Sequence, residues 1–511
     1  MMPRFIAPLC PLLLTLTVAG GGCSSQPPAG NKPDGATTQG GSSGGGGTGG
    51  TTPATGSGGA GNQGSGGAGA GSGGGSGSGG GSGSGGIIGT GGTPAMDGGG
   101  GSGGMLGGSD GGVFAGPLRH PGAMINADQI AFLKMHIGAG DAPWAGALRQ
   151  LQNSNYGSQS FTPSGGAPPG GIVTCGYISN PDVGCSYEKD VAAGSFANAL
   201  AWMLTGDKAH AQGAIRILNG WASLMKGRST PADQEYAGNT GQDFNGILQS
   251  GWQGSTLARA AEMIRGSDGG ASAGWAAADI ARFQTMVRAA YIPYLQRGYI
   301  RTAATDPARL TGGNWDLSAI DGLIQMAVFL DDVDLFNKAL TLWRRRVPAY
   351  IYMRSDGPAP IKIPGDLSSW YNATTNVDGL CEETCRDLSH IQYGFAALIN
   401  AAETALIQGV NLYAEQSARI AAGLELNARY WLAGSSLPPP CAGSDAAVFS
   451  NNFIARPTWI VAYNQFADRM KMPMPSVKAV IAQGTSPTAD DTHHIQWEAL
   501  THTGVGSVGI H

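Results

Sequence analysis

The part of this chain that can fold, residues 115–511, is expected to be all-α. Three observations lead there. Long stretches repeat apolar residues at helical spacing; short Gly/Asp turns or long polar loops separate them; alternating strand patterns are scarce. Helix hairpins in such number stack into a ring or a superhelix, and small-residue faces such as Ala192, Ala193, Ala197, Ala199 and Ala201 let helices approach closely. There is no short exact repeat of the solenoid kind.

The chain opens differently. Residues 1–22 carry Arg4, the apolar run Leu12–Val18 and a small-residue stretch before Cys23, which reads as an export signal rather than a spanning helix. Cys23-Ser24-Ser25 looks like a bacterial lipoprotein processing site, although Gly20 stands where Leu is usual; lipidation of Cys23 is expected, with plain secretion as the rival. Residues 23–114 are Gly, Ser, Thr, Ala and Asn with almost no charge, and hold about half of the 87 glycines. Such a segment buries too little to offset the entropy of ordering, so a disordered tether is expected, ending on a membrane or on nothing. The expected address is the periplasm or cell surface, with membrane contact only through the anchor.

Helical periodicity then predicts elements over 126–138 (Ile130, Leu133, Ile137, capped by Asn126 or Asp128) and 144–151. A Gly/Pro/Ser-rich loop follows over 155–185. Further helices are predicted over 190–204 (stopped by Thr205-Gly206-Asp207), 209–225, 246–264, 276–295, 317–330, 333–350, 390–407, 412–430 and 458–470.

Formal net charge is −5, without a basic patch or nucleic-acid motif, so no nucleic-acid partner is expected. The densest basic run, Arg344-Arg345-Arg346, reads as a solvated helix face. Of the 7 cysteines, Cys175 and Cys185 bracket a loop and are expected to bridge in an exported protein. One more bridge among Cys381, Cys385 and Cys441 is plausible, most simply Cys381 to Cys385 with Cys381 outside a helix. No Cys/His set has zinc spacing, and neither metal nor cofactor is expected.

The stretch from Glu383 to Tyr393 carries the chemistry. At helical spacing Glu383, Arg386, Asp387, His390 and Tyr393 share one face, just before an apolar helix. A cation, an imidazole and a phenol can stabilise an anion and move a proton. The plain alternative is a helix start with an Arg386 ion pair to Glu383 or Glu382 and a core-lining Tyr393.

Several runs resemble the alginate-lyase-like polysaccharide lyases, glucuronan lyases included. They are Gly313-Asn314-Trp315, Ala327 to Phe336, Trp343 to Tyr350 and Glu383 to Gly394, with Trp202 to Asp207, Ile217 to Trp221 and Ala258 to Arg265. The likeness spans about residues 118–505. It implies an (α/α) toroid, an incomplete or closed ring of helix hairpins, and β-elimination of uronate-containing glycans. By the family pattern Tyr393 is base and acid, Arg386 lowers its pKa or clamps substrate, and Asn314 donates to the uronate carboxylate. Family members commonly follow the Asn with His; here Trp315 follows, so His390 fills that role or Trp315 is a sugar-stacking wall. Substrate contacts are expected from Trp315, Glu383, His494 and Trp497, and the neighbouring His493 and His502 suit a subsite wall or a buried terminus. Gln242 and Asn245 read as caps, and Trp202, Trp221 and Trp252 as packing.

The expected partner is an anionic polysaccharide, and the expected state a monomer. Two rivals stand. A glycoside hydrolase on the same toroid needs two carboxylates flanking the bond; Glu383 or Asp387 supplies one, and Asp331-Asp332 looks structural. A non-catalytic surface glycan binder keeps the aromatic walls without needing Arg386 and Tyr393.

Overall fold

The computed structural model describes residues 112–510 apart from 178–179, 231–242, 244, 298–311, 364–369, 435–439, 442–457, 485–492 and 495–496. The signal, Cys23, nearly all of the tether and Gln242 lie outside the described residues. The described helices are α1 (Ala127–Ala139), α2 (Trp144–Asn153), α3 (Cys185–Thr205), α4 (Lys208–Leu224), α5 (Gly246–Arg265), α6 (Ala277–Ala290), α7 (Ile292–Arg297) and α8 (Gly313–Leu330). After them come α9 (Val333–Tyr350), α10 (Leu388–Ile407), α11 (Leu412–Glu415), α12 (Ser417–Ala433), α13 (Trp459–Tyr463), α14 (Pro475–Ala482) and α15 (Glu498–Thr501).

Burial sorts the helices into two layers. α5 and α8 are buried nearly all round, α3 and α10 almost so, whereas α4, α6, α9 and α12 bury one face. The inner helices neighbour one another in the order α3, α5, α8, α10, with α4 against α3 and α5, α6 against α4, α9 against α8 and α12 against α10. This is the (α/α) toroid. The sequence left closure open; α13 packs on α10, α15 on α13 and α2, and α2 on α3, so the C-terminal elements complete the circuit. Close approach of α5 and α8 depends on Gly251: a Cβ there would stand 2.8 Å from the Ser318 carbonyl oxygen.

Several expectations need correction. The loop over 155–185 contains a β-hairpin, β1 (Ile172–Tyr177) antiparallel to β2 (Asn180–Val183), and β1 also pairs in parallel with β3 (Gly227–Arg228). The helix expected over 276–295 breaks at Tyr291, whose hydroxyl is drawn inward to Glu188, and the one over 412–430 breaks at Gln416. α13 passes into a π-helical turn over 464–469. α14 and α15 had no periodic signal long enough to find.

The basic run is not a solvated face either. Arg346 is buried and ion-pairs with Glu382, with Asp316 at 3.5 Å, and Arg344 reaches Glu415 at 2.8 Å. Cys175 and Cys185 are bridged. The second bridge joins Cys385 to Cys441, not to Cys381. Cys381 is buried beside Ile351, where Asn427 Nδ2 lies 3.4 Å from its sulfur, and burial raises its thiol pKa. Chain entry is earlier than residue 115: Phe114 stacks edge-on on Phe336 and exchanges two hydrogen bonds with Asn337.

Candidate active site

The site forms where the N-terminal ends of α8 and α10 meet the first half of α5. α10 starts at Leu388, so Glu383 to Asp387 are a turn and not a helix, and the expected single face is not continuous. Asp387 is the N-cap: its Oδ1 accepts from the His390 backbone N–H at 2.8 Å and its Oδ2 lies 2.6 Å from His390 Nδ1. Burial alone would raise the Asp387 pKa; the His390 imidazole and these hydrogen bonds outweigh it and hold the carboxyl at about 2.

Glu383 is the hub of the turn, and it is buried. Its Oε1 accepts from Asn314 Nδ2 at 2.8 Å and Arg386 Nη1 at 3.0 Å. Its Oε2 accepts from the Asn314 backbone N–H at 2.9 Å and the Tyr350 hydroxyl at 3.3 Å. All four partners are donors. Burial and the Glu383 charge raise the Tyr350 pKa well above the usual phenol value, keeping that donor protonated. Glu383 comes this close to α8 because residue 313 lacks a side chain: a Cβ on Gly313 would lie 2.8 Å from Glu383 Cδ, at a φ of +59°. Glu383 is thus a clamp that orients Asn314 and Arg386, and it is not placed to contact substrate. Burial works against the Arg386 charge, but Glu383, Tyr371 and Asp387 outweigh it and raise its pKa. The Arg386 guanidinium also lies 5.4 Å from the Tyr371 ring centre.

Tyr393, one turn beyond His390, is half-buried. Four rings surround it, with centres at 6.0 Å (His390), 5.3 Å (Trp252), 5.2 Å (His493) and 6.4 Å (His494). Trp315 follows Asn314 on α8 and is half-buried. The structure therefore gathers Tyr393, His390, Arg386 and Asn314 around one turn.

Residues 187–436 match the family model described as alginate lyase. Over that segment the chain is alginate-lyase-like. Among solved structures it is similar to an alginate lyase from Bacteroides ovatus (16% identity, TM-score 0.48, 74% of this chain and 99% of that one). It is also similar to alginate lyase A1-III from Sphingomonas species A1 (16%, 0.48, 75% and 97%) and to the apo form of a histidine variant of A1-III (14%, 0.50, 76% and 96%). At 14% identity the last likeness speaks for the fold and nothing finer. No curated protein matches the chain.

The remaining expected contacts divide. His494 is buried beside the Tyr393 ring, its Nε2 3.4 Å from Ser318 Oγ. Trp497 is buried in the core at the start of α15, with no face open for a sugar, and His502 is a core histidine between Thr501 and the Met124 carbonyl. Asn245 precedes α5 but donates to the Gly176 carbonyl instead of capping. Sequence reasoning missed Trp252 as a wall of the site, because its helical spacing is that of a packing residue. It also missed Tyr350, whose role exists only through the fold that brings it to Glu383. Among the described residues no group of three or more His, Cys, Asp or Glu side chains could hold a metal ion.

Proposed function

We propose that this lyase cleaves uronate-containing glycans of the alginate or glucuronan type by β-elimination, with Tyr393 transferring the protons. The Tyr393 phenolate removes the C5 proton; the C5–H electrons form the C4=C5 double bond; the C4–O4 bond breaks; and the phenol returns its proton to the departing O4. Charge building on the uronate carboxylate is met by Arg386, held by Glu383, and by the N-terminal ends of α8 and α10, while the fully buried Asn314 holds Glu383 in place. His390, paired with Asp387, adds a further ring beside Tyr393.

The observation that carries the reading is the half-buried Tyr393 standing among the imidazoles of His390, His493 and His494 at this helix junction. A hydrolase reading is less supported: the nearby carboxylates Glu383 and Asp387 are both engaged as acceptors, Glu383 by four donors. The test is a panel of polyuronates watched for the ultraviolet absorbance of the unsaturated uronate. Reducing ends released without that absorbance would replace elimination by hydrolysis.

Export and anchoring at Cys23 belong to the same proposal, supported by the N-terminal sequence alone. Cys23→Ser should move the enzyme from the membrane to the soluble fraction; a membrane-bound variant would refute the anchor.

A further inference from the structure

His493 has no part in the mechanism above, yet it lies against its central residue. Its imidazole is edge-on to Trp252, ring centres 4.2 Å apart, and 5.2 Å from the Tyr393 ring. The next residue turns the other way, into the core. His494 has a φ of +56° and is buried, with Nδ1 3.7 Å from Asp321 Oδ2. Neither of those two atoms has a hydrogen-bond partner, and the same carboxylate also faces the buried Arg259 guanidinium. A left-handed backbone at a non-glycine residue costs energy and persists where its surroundings enforce it. Here it sends one histidine to the α8 carboxylate and leaves the other at the half-buried tyrosine.

Charge gives this placement a purpose. Near Tyr393, Glu383 is matched by the Arg386 guanidinium, and the carboxylates of Asp387 and Asp321 each lie beside a histidine, His390 and His494. A protonated His493 adds positive charge where the uronate carboxylate enters beside Tyr393. The indole of Trp252 favours that cation.

We propose that His493 is a catalytic residue of the elimination, its imidazolium receiving the uronate carboxylate and steadying the Tyr393 phenolate, with His494 and Asp321 as positioning residues. The proposal rests on the lyase reading above. Of the titratable groups near His493, Tyr393 of α10 faces it directly, and His390 with Asp387 on α10 and His494 with Asp321 of α8 lie around that ring.

The experiment compares His493→Gln and His493→Arg with the unmodified enzyme on its best polyuronate across pH. His493→Gln should lower kcat by about 10²-fold, the usual scale for such a group. His493→Arg, which keeps a cation, should retain at least about tenfold more activity than the Gln variant, with its alkaline limb displaced upward because a guanidinium does not titrate there. Asp321→Asn should shift the same limb while changing KM little. Were either His493 variant not to fold, diethyl pyrocarbonate and mass mapping on the unmodified protein would serve: an oligouronate should protect His493 but not His136, which pairs with Asp141 at the end of α1, and acylation of His493 should abolish turnover. A His493→Gln enzyme within threefold of the unmodified rate, an Arg variant no better than Gln, or an acylated His493 with activity retained would overturn the proposal and leave the lyase reading standing. An unmodified enzyme silent on every polyuronate would sink both.

Discussion

Glu383→Gln tests the clamp directly, because it changes one atom type and no shape. The carboxylate receives four donors, two on each oxygen. A glutamine offers one acceptor oxygen and a second position that is itself a donor. With its oxygen toward Asn314 Nδ2 and Arg386, its amide nitrogen faces the Asn314 N–H and the Tyr350 hydroxyl; flipped, it faces the other pair. Either way two donors lose their acceptor. At about 1–3 kcal/mol for each unsatisfied buried donor, the variant should lose about 2–6 kcal/mol. Urea denaturation reads that loss as a lower midpoint at unchanged slope. Activity should fall further than stability explains, because Asn314 and Arg386 are no longer held at the start of α8 and α10: about 10²-fold in kcat under conditions where the variant is fully folded. A Glu383→Gln enzyme within 1 kcal/mol of the unmodified protein at full rate would refute the clamp.

Four further outcomes follow from other parts of the molecule. Tyr393→Phe keeps the ring contacts with Trp252 and His390 but removes the transferable proton, so turnover should drop about 10²-fold or more at unchanged melting temperature; full activity would refute Tyr393 as base and acid. Cys441→Ser opens a bridge of sequence separation 56, and loop entropy puts the cost at up to about 4 kcal/mol, readable by urea denaturation without reductant. Burial raises Glu498 to about 7 from 4.5, so its contribution to stability is full below 4.5 and lost as pH rises through about 7. Burial lowers His502 to about 4 from 6.5, so its contribution is present above 6.5 and lost as pH falls through about 4. The two slopes oppose one another in the unmodified protein, and Glu498→Gln should unmask a urea midpoint that rises with pH across the His502 window. A chain starting at Val113 should match the full chain in activity and stability, whereas one starting at Pro117 loses the Phe114–Phe336 stack and the Asn337 hydrogen bonds, about 2 kcal/mol.

What the sequence determined by itself is what local chemistry determines. Apolar spacing along Gly246–Arg265, Val333–Tyr350 and Leu388–Ile407 is a property of each segment, and those helices stand where the spacing puts them. Asn126 caps α1 as its residue type and position predict. Arg386, Asp387, His390 and Tyr393 were legible because they sit within one short run. Tertiary structure alone decided what depends on segments far apart in the chain. Glu383 looked like a substrate contact until Asn314 and Tyr350, brought to it by α8 and α9, filled its acceptor sites. Arg346 looked solvated until α9 turned it onto Glu382. Cys385 found Cys441 because the backbone at Cys441 pairs with Ala373, leaving nearby Cys381 buried elsewhere. Trp252 became a wall of the site only when α5 met Tyr393 of α10, and of the wall candidates His493 and His502 only the first came to lie there. Spacing along a chain fixes which residues share a helix face; which charges, sulfurs and rings lie within a few ångströms across elements depends on packing, which no single segment carries.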